Sequence, residues 1–242
     1  MYAHFTDAHI RDCESAMLTL LTATGCRPKA WAICEKLMLA QDYTGSVRWV
    51  IVDDGEEAQP VTFKRDNWTL EVVRPQHRWK EGLNTQADNL LAGLNVISDD
   101  ENLVIIEDDD HYASDWLATV SEYLKDYELV GETLAKYYNI TTKTGRQLRN
   151  DKHASLCCTA MRGNATKAFR KVCIPGTKFI DINLWNNFSN KLLFISSKVV
   201  GIKGFEGRSG IGMGHSKDFS GTKDYNHSLL KLWIGEGIKH YV

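Results

Sequence analysis

The chain reads as an α/β protein, a mostly parallel sheet flanked by helices with a smaller mixed or antiparallel portion toward its end. Three observations predict this. Apolar runs of strand length alternate with helix-period segments through the first half; two of those runs, 47–52 and 103–106, exit directly into carboxylates; and the alternation stops after about residue 123.

Taken in order, 16–22 is an apolar strand, and Gly25-Cys26-Arg27-Pro28 turns the chain into a helix marked by Trp31, Cys34, Leu37 and Met38. Pro28 suits the first helical turn because its φ is already helical and its missing N–H would have no partner there. Strands follow at 47–52, ending at Asp53-Asp54-Gly55, and at 69–73. Residues 82–97 carry Leu83, Ala87, Leu90, Leu91 and Leu94 at helical spacing, 103–106 is the next strand, and 115–123 a further helix. Parallel strands joined by helices take right-handed crossovers, and ligands bind beyond their carboxyl ends. Thr24, Asp53, Asp54 and the run from Glu107 to Asp110 all fall there.

The grammar then changes. Segments 136–142 and 147–149 flank a turn at 143–146 as a hairpin, 154–161 reads as a strand, 180–188 as a helix and 192–202 as extended chain. Seven glycines between 201 and 221 mark a binding loop or lid.

With 242 residues, 43% hydrophobic and 25% charged, the chain is expected to form one domain over 1–242, with halves at 1–132 and 133–242. No run of about 18 apolar residues is present, and the first residues lack a basic-then-apolar leader. Six cysteines without a C-x-x-C pair suggest reduced thiols, so the expected location is cytoplasmic. The net charge of -2 conceals a polarity: residues 1–132 hold 11 Lys/Arg against 25 Asp/Glu, and residues 133–242 hold 18 against 6. The basic half either neutralises the acidic one or offers a track to a polyanion.

Four consecutive carboxylates at the exit of a buried strand repel one another and need a compensating cation. An all-oxygen set on short acidic side chains suits Mg²⁺ or Mn²⁺, whose usual co-ligand is a phosphate. A solvated acidic turn is the alternative reading of such a run.

The segments Leu20-Leu21-Thr22-Ala23-Thr24-Gly25-Cys26-Arg27-Pro28, Gln41-Asp42-Tyr43, Trp49-Val50-Ile51-Val52-Asp53-Asp54-Gly55 and Ile105-Ile106-Glu107-Asp108-Asp109-Asp110, in that order, resemble the nucleotide-sugar half of family-2-type GT-A glycosyltransferases. The likeness covers roughly the first 130 residues. It implies that Thr22, Thr24 and Arg27 line the nucleotide pocket, that Asp53 or Asp54 holds the base, and that the acidic cluster, Asp108 included, takes ribose and metal. Asp109 matches the last Asp of the family's DxD motif and Glu107 the first, with Asp108 and Asp110 as the alternative register. Arg78 and Lys80 stand where the family often has basic residues near the donor. Asp181 resembles the Asp of a Glu-Asp base motif in which Ile180 replaces the Glu; a helix-capping Asp is the other reading. His215 is similar in placement to a late histidine that closes over the metal, and Arg208 could reach the diphosphate, with Lys203 and Lys217 competing for that role.

The implied activity is metal-dependent, inverting transfer of a hexose from a nucleotide-diphosphate sugar, with UDP favoured, to a hydroxyl of a soluble and anionic acceptor. One acceptor compatible with the charge polarity is a hydroxymethylated pyrimidine in bacteriophage DNA, reached through Lys143, Arg146, Arg149, Lys152, Arg162, Lys167, Arg170 and Lys171. A saccharide acceptor is the alternative. A nucleotidyltransferase would need a longer glycine-rich loop than 25–28, and a non-catalytic sugar- or nucleic-acid-binding module would retain the fold without turnover.

Overall fold

A computed structural model describes residues 16–208, 210, 212–215 and 219–242. Lys217 and the N-terminal Cys13 lie outside the described residues.

The first sheet is built from β1 (Leu18–Thr24), β2 (Val47–Asp53), β3 (Trp68–Val73), β4 (Asn102–Ile105), β6 (Leu129–Thr133), β9 (Thr159–Met161) and β10 (Lys191–Ile195), in the order β10-β6-β9-β4-β1-β2-β3. Strands β1 to β4 pair in parallel, as do β6 and β10, while β9 runs antiparallel between β4 and β6. The crossovers carry α1 (Pro28–Leu39) and α2 (Gln86–Leu94), and α3 (Trp116–Tyr123) leads into β6. Trp31 of α1 packs on Trp49 of β2 at 5.2 Å between ring centroids, and Phe63 and Trp68 close round Trp49 in turn. These large apolar faces fasten α1 to the sheet beneath the loops that follow β1 and β2.

A second sheet, in the order β12-β8-β7-β11-β5, contains β5 (His111–Tyr112), β7 (Lys136–Asn139), β8 (Thr144–Gln147), β11 (Val199–Lys203) and β12 (Thr222–Lys223). Because β4 ends at Ile105 in one sheet and β5 begins at His111 in the other, the acidic run is the hinge between them. Helices α4 (Asn164–Val172), α5 (Ile180–Asn186) and α6 (Ser228–Ile234) complete the chain.

Several boundaries differ from those expected. The first strand runs two residues later than 16–22, so Thr24 is its last residue. The second helix is Gln86–Leu94 rather than 82–97, because Thr85 turns its hydroxyl to Asp54 instead of extending the helix. The hairpin turns at 140–143, not 143–146, with Lys143 at φ 50 and Tyr138 opposite Gly145. Segment 154–161 is a strand only from Thr159, preceded by a 3-10 turn at Leu156–Cys158. The extended stretch 192–202 is two strands in different sheets, β10 and β11, separated at 196–198. Here Ser196 and the Lys198 N–H are bound to the buried Glu132 carboxylate, which pins the break.

Candidate active site

The site begins with two strand ends. Parallel register sets Thr24 of β1 opposite Asp53 of β2, and β4 lies on the other side of β1, so the carboxylates after both neighbouring strands converge at the exit of β1. Gly25 allows the approach: its φ is +137, and a Cβ there would lie 2.4 Å from Asp54 Oδ1 and 2.6 Å from the Gly55 nitrogen.

Three of the four acidic side chains are almost fully buried: Asp108 and Asp110 are 1% exposed and Asp109 3%. Thr24 Oγ1 donates to Asp108 Oδ2 at 2.7 Å, and Arg27 donates to Asp108 Oδ1 at 2.6 Å and also to Asp109. Arg27 stands at the N-cap position of α1, where a Ser or Asp usually serves the helix, and its guanidinium serves the carboxylates instead. Lys203, 3% exposed at the end of β11, donates to Asp110 Oδ1 at 2.7 Å, Asp109 Oδ1 at 3.2 Å and Glu107 Oε2 at 3.4 Å. Register explains this: β11 pairs antiparallel with β5, Val200 against His111, so its last residues run alongside the acidic run, and the Ile202 N–H also donates to Asp110 Oδ1 at 2.9 Å.

Burial pushes the Asp108 carboxyl up to about 6, against the pull of Arg27. Burial acts on Asp109 in the same sense, but Arg27 and Lys203 together hold it below the ordinary carboxylate range. His215 Nε2 faces Asp109 Oδ2 at 3.5 Å. Burial, then Lys203, lowers the imidazole to about 3, so it is neutral. Gly210 sits on its ring, with its N–H 3.3 Å from Nδ1, and a Cβ at Gly210 would lie 2.2 Å from Nε2.

A second centre surrounds Asp54. Its Oδ2 accepts from Thr85 Oγ1 at 2.5 Å and Asn89 Nδ2 at 2.7 Å, and its Oδ1 from Arg208 at 2.5 Å. Arg208 also lies over the Trp79 ring, 5.1 Å from the centroid. Asp53 is occupied otherwise, bound by the Gly55 and Gln59 N–H groups and by Arg74 at 2.6 Å, an arrangement that fixes the loop after β2.

Of the expected residues, Glu107, Asp108, Asp109, Asp110, Arg27, Thr24 and His215 are thus brought together, and Arg208 joins Asp54. Thr22 is fully buried in the sheet, its hydroxyl accepting from the Trp49 indole at 2.9 Å. Arg78 bonds the His77 carbonyl and Lys80 is exposed; from that segment Trp79 makes the contact with Arg208. Asp181 lies in the first turn of α5, two residues past the Phe179 N-cap, and its Oδ1 accepts the Ile182 N–H at 2.9 Å, so it is not the helix cap. Burial raises its carboxyl above the usual range, with the Ile182 N–H and His153 opposing and Glu107 adding to the shift.

The basic residues do not form one continuous track. Arg162 follows Met161, which pairs with Leu103 at the start of β4, the sheet edge opposite the acidic cluster. It bonds the carbonyls of Tyr127 and Lys125. Arg170 is likewise spent on the Leu94 and Ile97 carbonyls and on Asp99 at 2.9 Å. Lys143 and Arg146 belong instead to the hairpin of the second sheet, and Arg149 and Lys152 follow it, both exposed. Lys167 and Lys171 are exposed on α4.

The donor set fits a divalent ion. Four carboxylates against Arg27 and Lys203 leave two formal negative charges, Asp109 and His215 face each other, and Asp110 Oδ2 is buried without a hydrogen-bond partner among the described residues. Oxygen ligands with one neutral imidazole suit Mn²⁺ and are compatible with Mg²⁺. Cys157 Sγ lies within 4.8 Å of ligand atoms of Glu107 and Asp110, but burial and its bond to Cys158 keep it a thiol.

Asn89 stands where the resemblance places Asn residues near the donor, whereas Trp79, Thr85 and Gln86 were missed by sequence reasoning, the last donating to Glu107 Oε1 at 3.0 Å. Each sits in the stretch 77–89, whose polar residues at the start of an apolar helix were the available signal.

No family model matches the chain, and no curated protein sequence matches it. Solved structures do. S. aureus TarS residues 1–349 superimpose with a TM-score of 0.54 at 12% identity over 77% of this chain and 60% of that one. The longer TarS gives 0.55 at 10% identity over 77% and 36%, and TarS 1–349 in complex with UDP-GlcNAc gives 0.54 at 12% over 84% and 63%. The chain therefore spans less than two thirds of the length of these neighbours. With its helix-flanked parallel sheet, its second mixed sheet and an acidic cluster between them, the chain has the GT-A glycosyltransferase fold.

Proposed function

We propose that the protein is a glycosyltransferase that moves a sugar from a nucleotide-diphosphate donor to an acceptor hydroxyl with inversion. The observation that carries this reading is the cluster of Glu107, Asp108, Asp109 and Asp110 held by Arg27 and Lys203 at the exit of β1, with His215 facing Asp109. A UDP-sugar donor is supported by the UDP-GlcNAc complex of the similar fold. The nucleoside lies along the Thr24 and Asp54 edge, where Arg208 would turn from Asp54 toward the diphosphate.

Asp109 and His215, backed by Glu107 and Asp110, would hold Mn²⁺ or Mg²⁺, which when bound supplies Lewis-acid stabilisation of the departing diphosphate. Asp181 takes the acceptor proton while the acceptor oxygen bonds to the anomeric carbon. The bond from that carbon to the diphosphate oxygen breaks, and the nucleoside diphosphate leaves with the electron pair. A raised carboxyl pKa makes Asp181 a better base than an exposed Asp. The acceptor is anionic in this reading, approached from the hairpin bearing Lys143 and Arg146 and followed by Arg149 and Lys152. Duplex DNA with hydroxymethylated pyrimidines is one such acceptor and an anionic glycan another.

The experiment is donor hydrolysis and transfer measured with UDP-GlcNAc and UDP-glucose in Mn²⁺, against Asp181→Asn. The variant is expected to keep UDP binding in a thermal-shift assay while transfer falls by about 10²- to 10⁴-fold. Lost UDP binding in the variant makes Asp181 structural, and no binding of any nucleotide diphosphate to the wild type refutes the reading.

A further inference from the structure

Glu107, Asp109 and Asp110, three of the four residues that resemble metal ligands, already share one ammonium group, that of Lys203, at 3.4, 3.2 and 2.7 Å. The lysine is not a surface side chain folded in by chance. Its position follows from the pairing of β11 with β5 and β7, and Gly214 closes over its stem, where a Cβ would meet Lys203 Cγ at 2.6 Å. A divalent ion taking the same oxygens would displace or crowd Nζ, and two like charges sharing buried carboxylates repel strongly. Ammonium and metal are therefore alternatives unless an anion arrives to take the ammonium.

We propose that Lys203 is a built-in competitor for the divalent cation, occupying the carboxylates in the donor-free state so that metal enters only together with a nucleotide diphosphate, whose phosphate oxygens receive the lysine. The inference rests on the nucleotide-sugar reading for the identity of the anion, but the competition between Lys203 and metal does not. Binding of metal and nucleotide becomes mutually reinforcing, because each removes what obstructs the other, and linkage requires the same factor in both directions.

The test is a Mn²⁺ titration followed by the paramagnetic resonance signal of free Mn²⁺ and by thermal shift, with and without UDP, on the wild type, Lys203→Met and Lys203→Arg. In the wild type UDP is expected to tighten Mn²⁺ binding at least tenfold. Lys203→Met is expected to bind Mn²⁺ alone at least tenfold more tightly than the wild type, with UDP adding little. Lys203→Arg, which keeps the charge, is expected to behave like the wild type. If Lys203→Met folds only when Mn²⁺ is present, read by circular dichroism, the metal has replaced the ammonium and the proposal stands. Wild-type Mn²⁺ affinity left unchanged by UDP that does bind, or no gain of Mn²⁺ affinity in Lys203→Met, overturns it. If Lys203→Met gains Mn²⁺ affinity while neither UDP nor UDP-GlcNAc binds any variant, the competition holds and the glycosyltransferase reading falls.

Discussion

Arg27 lies between two adjacent buried carboxylates, and its removal should show what that costs. Arg27→Ala leaves Asp108 and Asp109 without their shared donor, and breaking a buried ion pair from one side destabilises by about 3–5 kcal/mol. The unfolding free energy from urea titration is expected to fall by that amount, the midpoint dropping in proportion with the slope unchanged. Asp181 gives a pH prediction of definite sign. Because burial raises its carboxyl, the protonated and inactive form persists to higher pH than for an exposed Asp, so the acid limb of kcat/KM should lie above about 3.9, the ordinary Asp value. A limb at or below that value would dissociate Asp181 from proton transfer. At this scale part was legible: Asp109 and His215, both singled out in the sequence and 106 positions apart, lie 3.5 Å from each other. Lys203 was legible as a competitor for the diphosphate but not as a partner of the acidic run, since nothing local says which carboxylates it will find.

The elements carry their own signature of function in the capping positions they give up. Arg27, Thr85 and Asp115 stand at the N-caps of α1, α2 and α3, and none bonds its own helix through its side chain. Arg27 and Thr85 turn to the acidic centres and Asp115 to Lys198, so helix stability near the site is exchanged for charge placement. The turn from β1 to α1 has equally little freedom. Gly25→Ala would set a Cβ 2.4 Å from Asp54 Oδ1 at a φ that side chains rarely adopt, and is expected to cost about 2 kcal/mol or more. Loss of UDP binding should accompany the fall in melting temperature; an unchanged melting temperature would mean that the turn relaxes freely. Element type was readable for the first four strands and two helices because their apolar period is unbroken. Strand β6 went unread because its buried Glu132 and Thr133 disguise a strand interior, and α6 because its start follows a left-handed His227 rather than a capping signal.

For the whole molecule, the separation of charge along the chain is only partly a separation in space. Arg170→Ala, which releases two carbonyls and Asp99 at the far sheet edge, is expected to cost about 1–3 kcal/mol and to leave polyanion binding untouched. Arg146→Glu with Arg149→Glu, both exposed, should leave the melting temperature within about 1 °C and flatten the salt dependence of heparin or duplex binding, by about one phosphate contact each. Equal salt slopes in variant and wild type would remove this face as an acceptor platform.

The parallel α/β half and the convergence of carboxylates at strand exits could be read from the chain alone, because hydrophobic period and strand-end placement are local properties. The tertiary structure decided which cations answer those carboxylates, which basic residues are spent on holding carbonyls, and that the late extended segment divides between two sheets. Those outcomes depend on strand register between segments as much as 90 residues apart, and register is set by packing that no single stretch of chain contains.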